Sequence, residues 1–168
     1  STQSLTLGGV DATACVVTGN VLSDITLTAD GVYVLSGPVF VGTDGGAAPA
    51  GGATVQGEGP TLTIPAGATI VGETGNDYLV ISRGAEINAV GSPTNPIVFT
   101  SAADLAQART GTPRAFETTD RGEWGGLIIN GRAPINACID GSATGGTEDC
   151  QKSGEGSSGL FGGGLPED

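Results

Sequence analysis

The sequence predicts an all-β solenoid, and three observations predict it. A pattern L-x-I-x-x-G-A-x-I-x-G is written at Leu62–Gly72 and repeats with little change from Leu79 to Ile87. Two looser copies flank it, at Val32–Gly42 and from Leu127 to Asn136. No segment sustains a helical apolar period beyond about two turns, while 31 glycines in 168 residues supply bends at short intervals.

The closest spacing, 17 residues from Leu62 to Leu79, is too short for a helix-pair repeat. It suits short strands joined by tight bends, so this spacing is read as the period of the solenoid. Within one copy, Leu62, Ile64, Ala68 and Ile70 share the inward parity, and Thr61, Thr63 and Thr69 point out. Gly67 and Gly84 mark corners, where a residue without Cβ lets the chain turn sharply. Pro65 and Arg83, beside those corners, are expected to face solvent. A single coil cannot bury its own apolar row, so stacked coils must join their rows into one column.

The elements follow in order. Residues 1–31 read as a capping region with short strands at 14–17 and 25–28, separated by Gly19 and Asn20. A solenoid has to cover its first coil, whose apolar interior and strand edges would otherwise meet water. Residues 32–168 read as coils with insertions at 43–60, 101–123 and 138–168. The first insertion is Gly- and Ala-rich and interrupts the period. The second opens with a helix of about two turns at 102–109, capped by Ser101 and stopped by Gly111 and Pro113, which decorates a loop. It carries Arg109, Arg114 and Arg121, with Arg132 nearby, four of the six basic residues.

Charge and cysteines bound the function. Eighteen acidic residues against six basic ones give a formal charge of −12, with no histidine. A surface of that sign repels phosphate backbones, so nucleic acid is not an expected partner. Cys138 and Cys150 bracket a polar, Gly-rich loop with little to hold it in shape, and a disulfide between them is expected, as in secreted proteins. Cys15 is left over, either a buried thiol or a partner for a cysteine elsewhere. Three cysteines without histidine do not make a zinc site. No basic, hydrophobic leader and no apolar run long enough for a transmembrane helix is present, so a signal peptide is expected to have been removed or never present.

The segment Gly91-Ser-Pro-Thr-Asn95-Pro96-Ile97-Val98-Phe99-Thr100, then Gly122-Glu123-Trp124-Gly125-Gly126-Leu127-Ile128-Ile129-Asn130-Gly131 and Gly154-Glu155-Gly156, resembles the right-handed parallel β-helix proteins of the pectin-lyase-like superfamily. The likeness spans roughly residues 60 to 164. It implies a secreted or outer-membrane-associated protein of a Gram-negative bacterium, in a group where many members have no assigned activity. Members usually have more coils, so the polypeptide is expected to continue past Asp168.

Three readings of function follow. The first is a non-catalytic surface protein whose loops bind a neighbouring surface protein or a glycan, with Trp124, Arg121 and Arg132 as candidate contacts. The second is a polysaccharide lyase or hydrolase acting on an acidic glycan. Glu117, Asp120 and Glu123 would supply the carboxylates, Arg114 and Arg121 would neutralise the substrate acid, and an exposed Trp124 would stack on a sugar. Against it, Arg121 and Glu123 make a simple surface pair and Trp124 a cover for one coil. The third is a calcium-stabilised unit using Asp140, Glu148, Asp149 and Glu155, compatible with either of the others. An open solenoid end also allows self-stacking into a filament.

Overall fold

A computed structural model describes residues 2–7, 10–46, 59–112, 114–139, 141–154 and 158–164. Twelve strands and one helix are defined among them. The chain opens with β1 (Thr2–Leu7) and the long β2 (Val10–Val21), then β3 (Ile25–Thr26) and β4 (Val32–Val41). Next come β5 (Thr61–Ile64), β6 (Thr69–Gly72), β7 (Tyr78–Ile81), β8 (Glu86–Ala89) and β9 (Val98–Ser101). The helix α1 (Ala102–Ala108) precedes β10 (Gly126–Ile129), β11 (Gln151–Ser153) and β12 (Leu160–Gly162).

The pairings build a parallel β-helix of three faces. The first face stacks β3, β5 and β8 in parallel. The second stacks the first half of β2, the first half of β4, then β6 and β9. The third stacks the second halves of β2 and β4, then β7 and β10. Both β2 and β4 therefore bend between two faces. In β4 the bend falls at Gly37, which has a φ of 71°.

The register corrects the expected period. Leu62 pairs with Ile87, 25 residues on, so Leu62 and Leu79 lie on different faces of one coil. The repeated motif marks two of the three corners of one coil, not successive coils. Its first copy turns from β5 to β6 at Gly67 and its second from β7 to β8 at Gly84, with φ of 82° and 89°. The downstream copy forms only its first strand, β10. Where the motif requires a left-handed glycine it has Arg132, and residues 132–136 form no strand.

The inward rows behave as their parity predicts. Leu62, Ile64, Ala68 and Ile70 are all buried and form one core with Tyr33, Leu35, Val39, Val41, Leu79 and Ile81. Three local expectations need correction. First, the strand expected at 14–17 runs on through Gly19 as part of β2, because Gly19 to Val21 pair with β4 on the next face. Second, α1 does more than decorate a loop. Ala102, Leu105 and Ala106 pack on Val34 and Val71, the outward residues of the second face, so the helix covers a sheet. Its Ser101 cap forms as expected, with Oγ accepting from the Asp104 amide at 3.0 Å.

Third, Arg83 does not face solvent. It is 2% exposed, and its guanidinium holds three segments together. Nε and Nη2 donate to the two Asp44 carboxylate oxygens, while Nη1 donates to Gln151 Oε1 and to the Gly162 carbonyl. Asp44 begins the expected insertion at 43–60, whose residues 47–58 lie outside the described residues. That insertion is thus tied at its start to the β7 corner and to the β11–β12 hairpin.

Candidate functional site

Two places concentrate polar chemistry. The first is the loop after α1. Arg114 there forms a fork with Glu123, with Nη1 donating to Oε2 at 2.7 Å, and its Nη2 also reaches Asp120 at 2.8 Å. Ser101 Oγ donates to the same Glu123 Oε2 at 2.6 Å. These donors hold the Glu123 carboxyl down at about 2, Arg114 having the larger effect and Ser101 the next. The same pairing raises the Arg114 guanidinium further above its ordinary range. Asp120 is also used locally, accepting from the Glu117 amide at 2.7 Å.

The structure therefore gathers Arg114, Asp120 and Glu123 into one knot. The Glu117 side chain and Arg121 are exposed, and the partner of Glu123 is Arg114 in place of the expected Arg121. Trp124 is not exposed. It is half-buried against the core, its ring stacked on Phe99 with centroids 6.5 Å apart. Arg132 lies elsewhere, donating to the carbonyls of Gly45 and Gly46 at 3.1 Å.

The second place is a groove of about 710 Å³ between the outer side of the third face and the lobe formed by residues 131–164. Tyr78 and Ile128 form one wall, Ile135 and Phe161 the other, and Asn130 and Ser158 supply polar atoms. Asn130 Nδ2 donates to the Ser158 carbonyl at 2.6 Å. Ser158 is 1% exposed, and its Oγ has no hydrogen-bond partner among the described residues. Among the described residues no Asp, Glu, Lys or Arg lines the groove.

The lobe itself is held by the expected disulfide. Cys138 and Cys150 are joined, with Cα atoms 4.6 Å apart and Cys150 fully buried. The antiparallel β11–β12 hairpin follows directly. Cys15 is free and exposed, not a buried thiol. Of the expected calcium ligands, Asp140 and Glu155 lie outside the described residues. Among the described residues no group of three or more carboxylate, cysteine or histidine side chains is placed to hold a metal ion.

The family model for pectate-lyase-like β-helix domains matches residues 19–165. The chain belongs to that family. No curated protein and no solved structure matches it. In this pectate-lyase-like β-helix the match begins within β2 and runs through all three faces into the disulfide lobe. No helix among the described residues is long and apolar enough to cross a membrane.

Two structural anchors of the β-helix escaped the sequence reading. Arg83 occupies the place that Ala66 holds in the first copy, and a charged residue interrupting an otherwise repeated motif was the available signal. Asp77 is buried and accepts from the amides of Gly37, Glu73 and Thr74 and from the Thr74 hydroxyl. Only the Thr74 to Asp77 turn was legible in advance. The contact with Gly37, 40 residues away, depends on coil stacking.

Proposed function

We propose that this β-helix is a non-catalytic binding unit of an extracellular or cell-surface protein, and that it holds a neighbouring surface protein or a glycan in the groove beside its disulfide lobe. The observation that carries this reading is the groove's lining. It joins apolar walls to a few convergent polar atoms, the usual composition of a binding site. Among the described residues it contains no carboxylate or cation to move a proton or neutralise a substrate acid. The carboxylate nearest to catalytic use, Glu123, is held ionised by three donors, which suits neither a general acid nor a strong base. The disulfide fits an oxidising compartment outside the cell.

The test separates binding from turnover. The protein is incubated with polygalacturonate and with a neutral glycan, and both bound protein and newly released chain ends are measured. An outer-membrane preparation is assayed for binding alongside. Retention on a glycan or on the membrane preparation, lost in Phe161→Ser and unaccompanied by product, is the expected result. Release of product that disappears in Arg114→Ala, with the fold intact, would establish the lyase or hydrolase reading instead.

A further inference from the structure

Arg83 grips one wall of the groove from outside it. It is buried at the corner after β7 and is not one of the residues that line the groove. Its Nη1 donates to Gln151 Oε1 at 2.8 Å and to the Gly162 carbonyl at 3.2 Å. Those two residues face each other across the β11–β12 hairpin, so one nitrogen holds both strands at a single rung. Gly162 lines the groove beside Phe161, and Gln151 directly follows the disulfide half Cys150. On its other edge the same guanidinium donates through Nε and Nη2 to the two Asp44 carboxylate oxygens.

A guanidinium is flat, and its N–H groups point in fixed directions. Two parallel charge-assisted bonds to one carboxylate therefore fix the plane in which Nη1 donates. Gln151 and Gly162 offer only neutral acceptors, so Asp44 has the stronger hold on the orientation of the group. We infer that Arg83 is a positioning residue for the groove: Asp44 aims its guanidinium, and the guanidinium sets where the β11–β12 wall stands against the third face. Segment 43–46 thereby controls the groove from outside. Thr43, Asp44 and Gly45 are exposed, so this control point is reachable from solvent. The inference rests on the binding reading above and adds a means of regulating that site. Arg132 also donates to the carbonyls of Gly45 and Gly46, a second tie between the lobe and this segment that the experiment must separate from the first.

Amide resonances of the whole protein report on the wall. The Gly162 and Gly163 amides donate to the carbonyls of Gly131 and Cys150, and Asp44→Asn should shift both resonances. In an Arg83→Met background, adding Asp44→Asn should leave them where Arg83→Met alone puts them. Denaturant midpoints give the energetic counterpart. Asp44 and Gln151 meet through Arg83, so Asp44→Asn and Gln151→Ala together should move the midpoint by less than the sum of their separate effects. In the Arg83→Met background the two effects should add. Arg83→Lys is a second background, because a single ammonium lacks the fork that serves both sides at once. Polygalacturonate, the neutral glycan and the outer-membrane preparation are then offered to Asp44→Asn. Whichever of them the native protein retains should bind at least about fivefold more weakly.

Several results would overturn the inference. Gly162 and Gly163 resonances that ignore Asp44→Asn would do so, as would additive midpoint shifts in the presence of Arg83. A resonance shift that persists in both Arg83 backgrounds would route the coupling through Arg132 and remove Arg83 from the role. A retained probe that binds Asp44→Asn as tightly as the native protein would show that the wall's position does not govern binding. Should the native protein retain none of the three probes, the binding reading falls by itself, and the resonances and midpoints still decide whether Asp44 sets the wall through Arg83.

Discussion

The Arg83 guanidinium and the Asp44 carboxylate meet in two parallel bonds, Nε to Oδ1 at 2.6 Å and Nη2 to Oδ2 at 2.7 Å. The arginine side chain is 1% exposed and the aspartate 37%. The pair spans 39 residues of sequence and joins the start of the first insertion to a coil corner. The arginine's hydrogen bond holds the Asp44 carboxyl below its ordinary range. Because the same guanidinium also reaches Gln151 and the Gly162 carbonyl, one side chain couples the insertion, the coil and the disulfide lobe.

Asp44→Ala should destabilise the fold by about 2 kcal/mol, since it leaves a buried cation with neutral acceptors only. Removing one member of a fully buried pair costs roughly 3–5 kcal/mol, and the partial exposure of Asp44 reduces that figure. Arg83→Met should cost less than Asp44→Ala, because an apolar chain of similar length leaves no uncompensated charge in the interior. Denaturant unfolding of the two variants checks the order.

Acid should loosen the loop after α1 in a defined window. Glu123 titrates at about 2 in the folded chain against an ordinary value of 4.5. A lowered carboxylate contributes stability that is complete above about 4.5 and lost as the pH falls through about 2. Trp124, adjacent in sequence and the only tryptophan, reports on it. Its emission should hold steady from pH 7 to 5 and change between about 4.5 and 2. In Glu123→Gln that acid change should be much reduced.

The corner glycines should tolerate no side chain. Gly84→Val forces a β-branched residue to a φ of 89° and brings its Cβ to 3.0 Å from Arg132 Nη2. A loss of about 1–3 kcal/mol is expected. At Gly67 a Cβ would lie 2.1 Å from Asp30 Oδ1 and 2.6 Å from Asn95 Nδ2. Gly67→Ala should therefore break the Asp30–Asn95 hydrogen bond in addition to straining the backbone. Melting temperatures should fall by about 2–4 °C per kcal/mol lost, and an unchanged value at Gly84 would contradict the corner assignment.

Replacing Cys138 and Cys150 together by serine should cost about 3 kcal/mol, the loop-closure value for a bridge spanning 12 residues. The loss should be local at first. Amide exchange in β11 and β12 should quicken before exchange in β5, β6 or β7, because the bridge lies within the lobe. Hydrogen exchange with and without reductant makes the comparison.

Much of the architecture was legible because it is local. The alternation of Leu62, Ile64, Ala68 and Ile70, and the glycine between the two pairs, report which side chains point in and where the chain bends. Both depend on neighbours within a few residues. The disulfide was legible for a similar reason, since Cys138 and Cys150 are close in sequence. The period was misread because a three-faced coil has several similar corners. The corners at Gly67 and Gly84 of one coil resemble each other more than they resemble equivalent positions in adjacent coils, which insertions push apart. The site was less legible still. Arg114 finds Glu123 only when the loop folds back to Ser101, and Trp124 finds Phe99 only across the coil interior.

By itself, then, the sequence determined a strand-built solenoid, its inward rows, its glycine corners and its disulfide, all consequences of side-chain parity, missing Cβ atoms and short chain separations. Tertiary structure decided the rest. It set Leu62 against Ile87, buried Arg83 against Asp44, laid α1 over Val34 and Val71, and opened a groove along β10. Each of these joins residues whose separation is fixed by the length of intervening loops. Stacking free energy, summed over many layers, selects among such alignments, and no local pattern records the choice.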